Sequence, residues 1–516
     1  MSVPAAPGGQ LPPLTGAALA ITSLALALGT FMQVLDGTIA NVSLPTISGN
    51  LGVSTDNGTW VITSFAVANG VTVPLTGWLM ARFGVVRTFT ASVFAFTIAS
   101  LLCGIAWSLP SLIFFRILQG AVSGPMIPGS QALLIAIFPP NKRGTALSIW
   151  SMTTLTAPVL GPVLGGYISD NYHWGWIFLI NVPVGIIAGL LTWRSLSNRD
   201  TPTRKLPIDT VGLILLAFWV FSLQTVLDLG KDRDWFQNPM IVALTICAVV
   251  GFLAWIIWEM TDKHPAVDLS LFRRRNFSLG TLALCLGYAL LFANNLLLPL
   301  WLQEHFGYTA TWAGLVAAPS GAMAVLLTPF IGRMAKIDAR WLATTAFLAY
   351  AGSFFMRSNY TPDSSFFVLA APLLLQGVAM STFFVPLITI SLDGIPPERV
   401  PSASGISNFA RITAGSFAAS LITTYWDRRE ALHQTRLTEV GTELSPLYRE
   451  TISRLQALGF SPLQANGSVM RTIENQAYLL SSLELFWICG WMAVAMIPVV
   501  WVARRPAPSE HAVAAD

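Results

Sequence analysis

Apolar residues in this sequence fall in blocks of about 20 separated by short polar breaks, and a helix needs about that length to cross the roughly 30 Å hydrocarbon core of a bilayer. No water reaches that core, so each spanning segment must satisfy its own backbone groups. The charge supply agrees: 10% of the 516 residues are charged and 54% are hydrophobic, against roughly 25% charged in a soluble domain. An all-α integral membrane protein is expected.

Spans are expected near 17–40, 57–79, 88–107, 110–134, 145–168, 175–194, 209–228, 240–259, 277–301, 311–332, 341–356, 365–392, 403–425 and 479–503. That makes 14 transmembrane helices and puts both termini on one side. Lys and Arg concentrate in one set of loops: Arg82 and Arg87; Lys142 and Arg143; Arg194, Arg199, Arg204 and Lys205; Lys263 and Arg273 to Arg275; Arg333, Lys336 and Arg340; Arg399; Arg504 and Arg505. The opposite short loops hold only Lys231, Arg233 and Arg357. Basic loops stay cytoplasmic, so both termini are expected inside and the long polar segment 426–478 outside.

The chain repeats itself. Thr59-Trp60 recurs as Thr311-Trp312 and Thr76 as Thr328, while Leu118-Gln119-Gly120 recurs as Leu375-Gln376-Gly377. Pro139-Pro140 with Arg143 recurs as Pro396-Pro397 with Arg399. The matching basic loops give both copies the same sidedness, so these are parallel repeats. The expected organisation is a cytoplasmic N-terminus (1–16), a six-helix half (17–194), cytoplasmic linkers with two inserted spans (195–276), a second six-helix half (277–503) and a cytoplasmic tail (504–516).

An ionisable group at bilayer depth costs about 2.5–3.5 kcal/mol on insertion scales and usually marks a functional pathway. Asp36, Arg116 and Arg411 fall inside expected spans, and each is either part of a buried ion pair or a working group, with snorkelling a further reading for the arginines but not for the short Asp36. Their repeat positions hold Tyr288, Leu373 and Leu155, so the charges break the pseudo-symmetry. That favours groups that act over groups that brace two like halves. A protonatable carboxylate near a fixed guanidinium is a workable proton switch. Asp228, Glu259 and Asp393 are expected at interfacial span ends, and Glu304 and His305 in an outer loop. Glu484, about one turn into the last span, reads equally as functional or structural.

The net charge of +4 comes from basic residues scattered in loops, which gives no nucleic-acid footprint. Cys103, Cys247, Cys285 and Cys489 all lie in apolar blocks, so neither a disulfide framework nor a metal site is expected. The first 81 residues carry no Lys or Arg, so no cleavable signal peptide is expected. Gly161-Pro162 and Gly165-Gly166 put small residues four apart, which allows close helix packing, and Pro158 and Pro162 are expected to kink that helix. It is either a static crossing or a bent span beside the substrate route. In 426–478, Ser445-Pro446 and Ser461-Pro462 are helix starts, and two amphipathic helices follow that either form a lid or dock a partner.

Four motifs carry a resemblance to the major facilitator superfamily, and within it to fourteen-span drug:proton antiporters of the EmrB and QacA kind. Phe31-Met32-Gln33-Val34-Leu35-Asp36-Gly37-Thr38 through Leu44-Pro45 resembles their first-span signature. Arg116-Ile117-Leu118-Gln119-Gly120 resembles the fourth-span motif associated with proton coupling. Gly161, Pro162, Gly165 and Gly166 resemble the fifth-span antiporter motif. Gly77, Arg82, Gly84 and Arg87 resemble the conformational loop between spans 2 and 3, with Ala81 where the general pattern has Asp. The phrasing is closest to the EmrB branch, as in Gly58 to Phe65 and Asn171 to Trp176.

The resemblance implies a proton-coupled multidrug antiporter of the bacterial inner membrane, driven by the proton gradient without a cofactor. It implies proton coupling by Asp36, Arg116 and Gln119, and a cavity lined by spans 1, 4, 9 and 12. Gln33, Thr38, Asn294, Asn295, Gln376 and Phe383 are its candidate substrate contacts, though Asn294 and Asn295 read equally as helix-to-helix hydrogen bonds and Phe383 as packing. It also implies a periplasmic adaptor (membrane fusion) protein and an outer-membrane channel as partners. Rival readings are a symporter or exporter of one metabolite on the same fold, disfavoured by span 5, and a non-transporting membrane sensor. A channel would need a polar lining that these spans lack, and no phosphate loop supports an ATP-driven pump.

Overall fold

The structure is a computed structural model that describes residues 13–139, 142–204, 207–262, 265–334, 338–440 and 445–506. Its described residues form 19 α-helices: α1 (Gly16–Leu51), α2 (Thr55–Gly58), α3 (Trp60–Thr72), α4 (Thr76–Phe83), α5 (Val85–Gly104), α6 (Leu109–Ser123), α7 (Met126–Ile137), α8 (Arg143–Asn171), α9 (Trp176–Leu179), α10 (Asn181–Leu196), α11 (Thr210–Leu229), α12 (Pro239–Thr261), α13 (Arg275–Glu304), α14 (Ala310–Arg333), α15 (Ala339–Arg357), α16 (Phe366–Leu392), α17 (Val400–Val440), α18 (Pro446–Ala457) and α19 (Pro462–Val502). Pro140, Lys205, Lys263, Lys336, most of segment 1–16 and most of the tail 504–516 lie outside the described residues.

Among the described residues, ten helical segments are long and apolar enough to cross a membrane, and the pair α3 and α4, bent by 58°, would make an eleventh. The other three expected spans, 145–168, 341–356 and 403–425, coincide with α8, some of whose side chains lie outside the described ones, and with α15 and α17, which fall short of that apolarity. The reason is compositional. These helices carry Thr, Ser, Ala and Gly where a lipid-facing helix such as α12 exposes Ile246, Val249, Val250, Leu253 and Ile257. Small residues suit helices packed on other helices.

α1 packs on α8, α3 on α6, and α5 on α6 and α10. Later in the chain α13 packs on α17, α14 on α16, and α15 on α16 and α19. α11 and α12 pair with each other, and α11 also touches both α3 and α17. The two groups of helices meet chiefly where α8 packs on α14 and α16, and where α17 packs on α4 and α7.

α8 runs as one helix through Pro158 and Pro162. The breaks lie elsewhere, at Val73-Pro74-Leu75 and at Gly124-Pro125. Segment 426–478 is largely a continuation of its neighbours: α17 and α19 are each 41 residues long, about 60 Å and twice the hydrocarbon thickness. Both expected start signals hold position: α18 begins at Pro446, and Ser461 caps α19 in a reciprocal pair with Gln464. Leu447, Leu458 and Leu463 are exposed, so these residues do not pack down as a lid.

Candidate functional site

α1 carries Asp36 to a point where α3, α5, α6 and α10 converge, and the carboxylate is fully buried. Its Oδ2 accepts from Arg116 Nη1 at 2.6 Å, and its Oδ1 accepts from Gln119 Nε2 at 3.0 Å and Asn181 Nδ2 at 2.9 Å. Arg116, 1% exposed, also donates from Nη1 to Gln119 Oε1 at 2.7 Å and from Nε to the Val61 carbonyl at 3.0 Å. Its guanidinium lies over the ring of Phe65 at 4.1 Å, a further favourable contact for a desolvated cation.

Gln119 is fully used. Its oxygen faces the guanidinium, and its nitrogen serves both Asp36 and Ser100 Oγ at 2.7 Å. Turning the amide over would aim oxygen at carboxylate and nitrogen at guanidinium, so the network fixes its orientation. The expected trio therefore meets in space. Asn181 and Ser100 complete it, and neither carries a charge or a motif that would single it out. Every member comes from the first group of helices.

The glycines of α8 fit their packing role unequally. A Cβ on Gly161 would strike Thr38 Oγ1, and one on Gly165 would lie 2.9 Å from Ile39 Cγ1. One on Gly166 would meet nothing within 4 Å. α8 thus presses on α1 two and three residues beyond Asp36, and α8 is also a main contact to the second group of helices. The Pro162 side chain lies outside the described ones.

The Gln-Gly dipeptide of the repeat does the same work twice. A Cβ on Gly120 would collide with α3 at Phe65, and one on Gly377 with α14 at Met323 and Ser320. Gln376, like Gln119, accepts from a buried guanidinium, here that of Arg357. The sequence places Arg357 in an outer loop, but it is fully buried at the end of α15 and also bonds Ser353 Oγ at 3.0 Å. Its repeat position is Ser100, itself part of the first network.

Arg411 is buried against the faces of Tyr288 at 4.4 Å and Phe384 at 5.3 Å, so Tyr288 at the repeat position of Asp36 also meets a guanidinium. Phe383 is wholly enclosed by aromatic neighbours including Phe347, Tyr350 and Phe384. Gln33 is buried with its Oε1 unbonded among the described residues, and Thr38 bonds back to the Leu35 carbonyl at 3.0 Å. The side chains of Asn294 and Asn295 lie outside the described ones.

Of the charges expected at interfaces, Glu259 is buried, bonded by Trp255 Nε1 at 3.1 Å and the Val267 amide at 3.2 Å. Asp228 is half-buried and accepts from Thr63 Oγ1 at 2.6 Å, tying α11 to α3. Glu484 is held by Arg429 at 2.6 Å and His433 at 3.1 Å.

In the loop after α4, Gly84 has φ +93°, a conformation L side chains rarely adopt, and a Cβ there would strike the Asp200 carboxylate. Asp200 accepts from the Val86 amide at 2.9 Å and lies 3.5 Å from Arg87 Nε, an anion at the N-terminus of α5. It supplies an acid to this loop although position 81 is Ala. Gly77 abuts Ser402 at the start of α17, while Arg82 lies over Trp78 at 5.5 Å.

The model of the Major Facilitator Superfamily matches residues 26–419. Multidrug export protein EmrB of Escherichia coli K12 is 51% identical over 499 residues, covering 96% of this chain and 98% of that protein. Fatty acid resistance protein FarB of Neisseria gonorrhoeae is 49% identical over 496 residues, with 96% and 98% covered. Among solved structures, the human organic anion transporter MFSD10 superposes with a TM-score of 0.59 at 13% identity, covering 94% of this chain and 100% of that one. That likeness concerns the fold alone. By the extent of the family match and the identity of these relatives, the chain belongs to the Major Facilitator Superfamily.

Proposed function

We propose that this protein is a proton-coupled antiporter that exports lipophilic drugs and other toxic hydrophobic compounds across the bacterial inner membrane by alternating access. It is a secondary active transporter that draws on the proton gradient and uses no cofactor. The observation that carries the reading is the fully buried Asp36 carboxylate held by Arg116, Gln119 and Asn181. The printed roles of the relatives, multidrug export and fatty acid resistance, support the substrate class.

The architecture we assign is 14 spans in two parallel six-helix repeats, with α11 and α12 inserted between them. The recurrence of helix pairs supports it, since α1 with α8, α3 with α6 and α5 with α10 match α13 with α17, α14 with α16 and α15 with α19. Charge bias in the loops supports cytoplasmic termini. The long ends of α17 and α19 with α18 then face the periplasm, where we assign a dock for an adaptor protein leading to an outer-membrane channel.

Asp36 is sealed within the first group of helices, so drug and proton need not compete for the same atoms. Protonating Asp36 removes its charge and leaves Arg116 without its counter-ion. The pair then rearranges, and α1 passes the change to α8 through the Gly161 and Gly165 contacts. α8 carries it to the boundary between the halves, where the substrate cavity opens to one side or the other. In proteoliposomes, a lipophilic dye moves against its gradient only while a proton gradient is imposed. Dye movement that persists after the gradient is collapsed would sink the antiport reading.

A further inference from the structure

Arg411 has no counter-charge among the described residues. It is 3% exposed on α17, its Nη2 donates to Asn408 Oδ1 at 2.9 Å, and neither Nε nor Nη1 has an acceptor among the described residues. A guanidinium carries five N–H donors, so the single Nε hydrogen and both Nη1 hydrogens are unclaimed. No carboxylate pairs with it among the described residues, and its other neighbours are the rings of Tyr288, Phe384 and Trp150. Ring faces offset part of the desolvation cost of the cation. They leave the hydrogens unsatisfied.

Arg411 also lines a small cleft between the two groups of helices, shared with Gln131 and Trp150 from one and Phe384, Ser404 and Ser407 from the other. Ser404 Oγ is a second buried atom there without a partner. The cleft is far too small here for a drug-sized ligand, which fills roughly 300–1,000 Å³, so this arrangement is a contracted one. It combines aromatic walls, an amide bridge from Asn408 to Gln131 at 3.2 Å, and one uncompensated cation.

We propose that Arg411 is the anion-recognising residue of a substrate subsite in this cleft, and that it takes the carboxylate or a comparable monoanionic head of a lipophilic molecule. The aromatic walls take the apolar tail, and the anion supplies the acceptors that Nε and Nη1 lack. The proposal rests on the transporter reading and narrows its substrate class. It gives Arg411 a role separate from Asp36, which lies in a different network.

The test is equilibrium binding of radiolabelled decanoate to the purified full-length protein, with decanol as the uncharged match and decyltrimethylammonium as the cationic one. Wild-type protein prefers decanoate to both. Arg411→Gln weakens decanoate by about tenfold or more, as expected for a lost charge-assisted contact, and changes decanol less than about twofold. Ser407→Asp places a carboxylate four residues before Arg411 on the same helix face, and this internal anion also removes decanoate binding. Ser407→Asn keeps it. The Ser407 pair decides the matter if Arg411→Gln does not fold. The proposal is overturned if wild-type protein shows no preference for decanoate, if Arg411→Gln weakens decanoate and decanol alike, or if Ser407→Asp binds decanoate as Ser407→Asn does. A protein that keeps its anion preference yet moves no protons contradicts the antiport reading alone.

Discussion

The Asp36 carboxylate and the Arg116 guanidinium meet at 2.6 Å with at most 1% of either side chain exposed. They come from α1 and α6, 80 residues apart in sequence. Removing one partner of a buried pair leaves the other charge uncompensated and costs about 3–5 kcal/mol, whereas removing both leaves no orphan. Arg116→Gln therefore lowers the thermal midpoint of the purified protein well below that of Asp36→Asn with Arg116→Gln together. Additive losses in that double-mutant cycle would mean that the two groups do not interact.

The glycines of α8 give a prediction that separates neighbours. Gly161→Ala and Gly165→Ala push against Thr38 and Ile39 and reduce drug resistance in cells by severalfold, whereas Gly166→Ala enters open space and stays near wild type. Minimum inhibitory concentrations at matched expression measure this. Equal effects at all three positions would remove the packing account.

At the loop after α4, Asp200→Asn weakens the anion that receives the Val86 amide and faces Arg87, a loss of about 1 kcal/mol. Gly84→Ala costs more, because it adds a positive-φ penalty to the collision with Asp200. In the background of Asp200→Gly the collision is gone and the penalty of Gly84→Ala shrinks to the backbone share. Thermal unfolding of the four proteins reads the difference.

In the second group of helices, Gln376→Leu removes the amide oxygen that Arg357 uses and lowers the thermal midpoint by several degrees. Arg357→Met with Gln376→Leu restores part of it, since an apolar pair of similar volume leaves no buried donor behind. A double variant less stable than the single one would show that Arg357 has a role beyond this contact.

Much of the fold and the centre of the site were legible in the sequence. Block length located the helices, and burial cost singled out Asp36, Arg116 and Arg411. What stayed hidden depends on direction and packing between distant segments. Arg357 reads as a loop residue because it precedes Ser358 and Asn359. Side chains tilt toward the N-terminus of their own helix, so one at the end of α15 turns back into the bundle. Its repeat position, Ser100, and the recurrence of Gln119 as Gln376 were the available signals. Asn181 and Ser100 had none, since a neutral polar residue in an apolar helix is common and only its neighbours give it a role. Gly166 had the right spacing but no facing helix at its Cβ, which spacing alone does not reveal.

The most direct measurement follows protons when drug is added to protein in proteoliposomes without an imposed gradient. Drug addition to wild-type protein releases or takes up protons in proportion to drug moved. Asp36→Asn still binds and exchanges drug but moves no protons. Proton movement of wild-type size in Asp36→Asn would contradict the assignment of Asp36 as the coupling carboxylate.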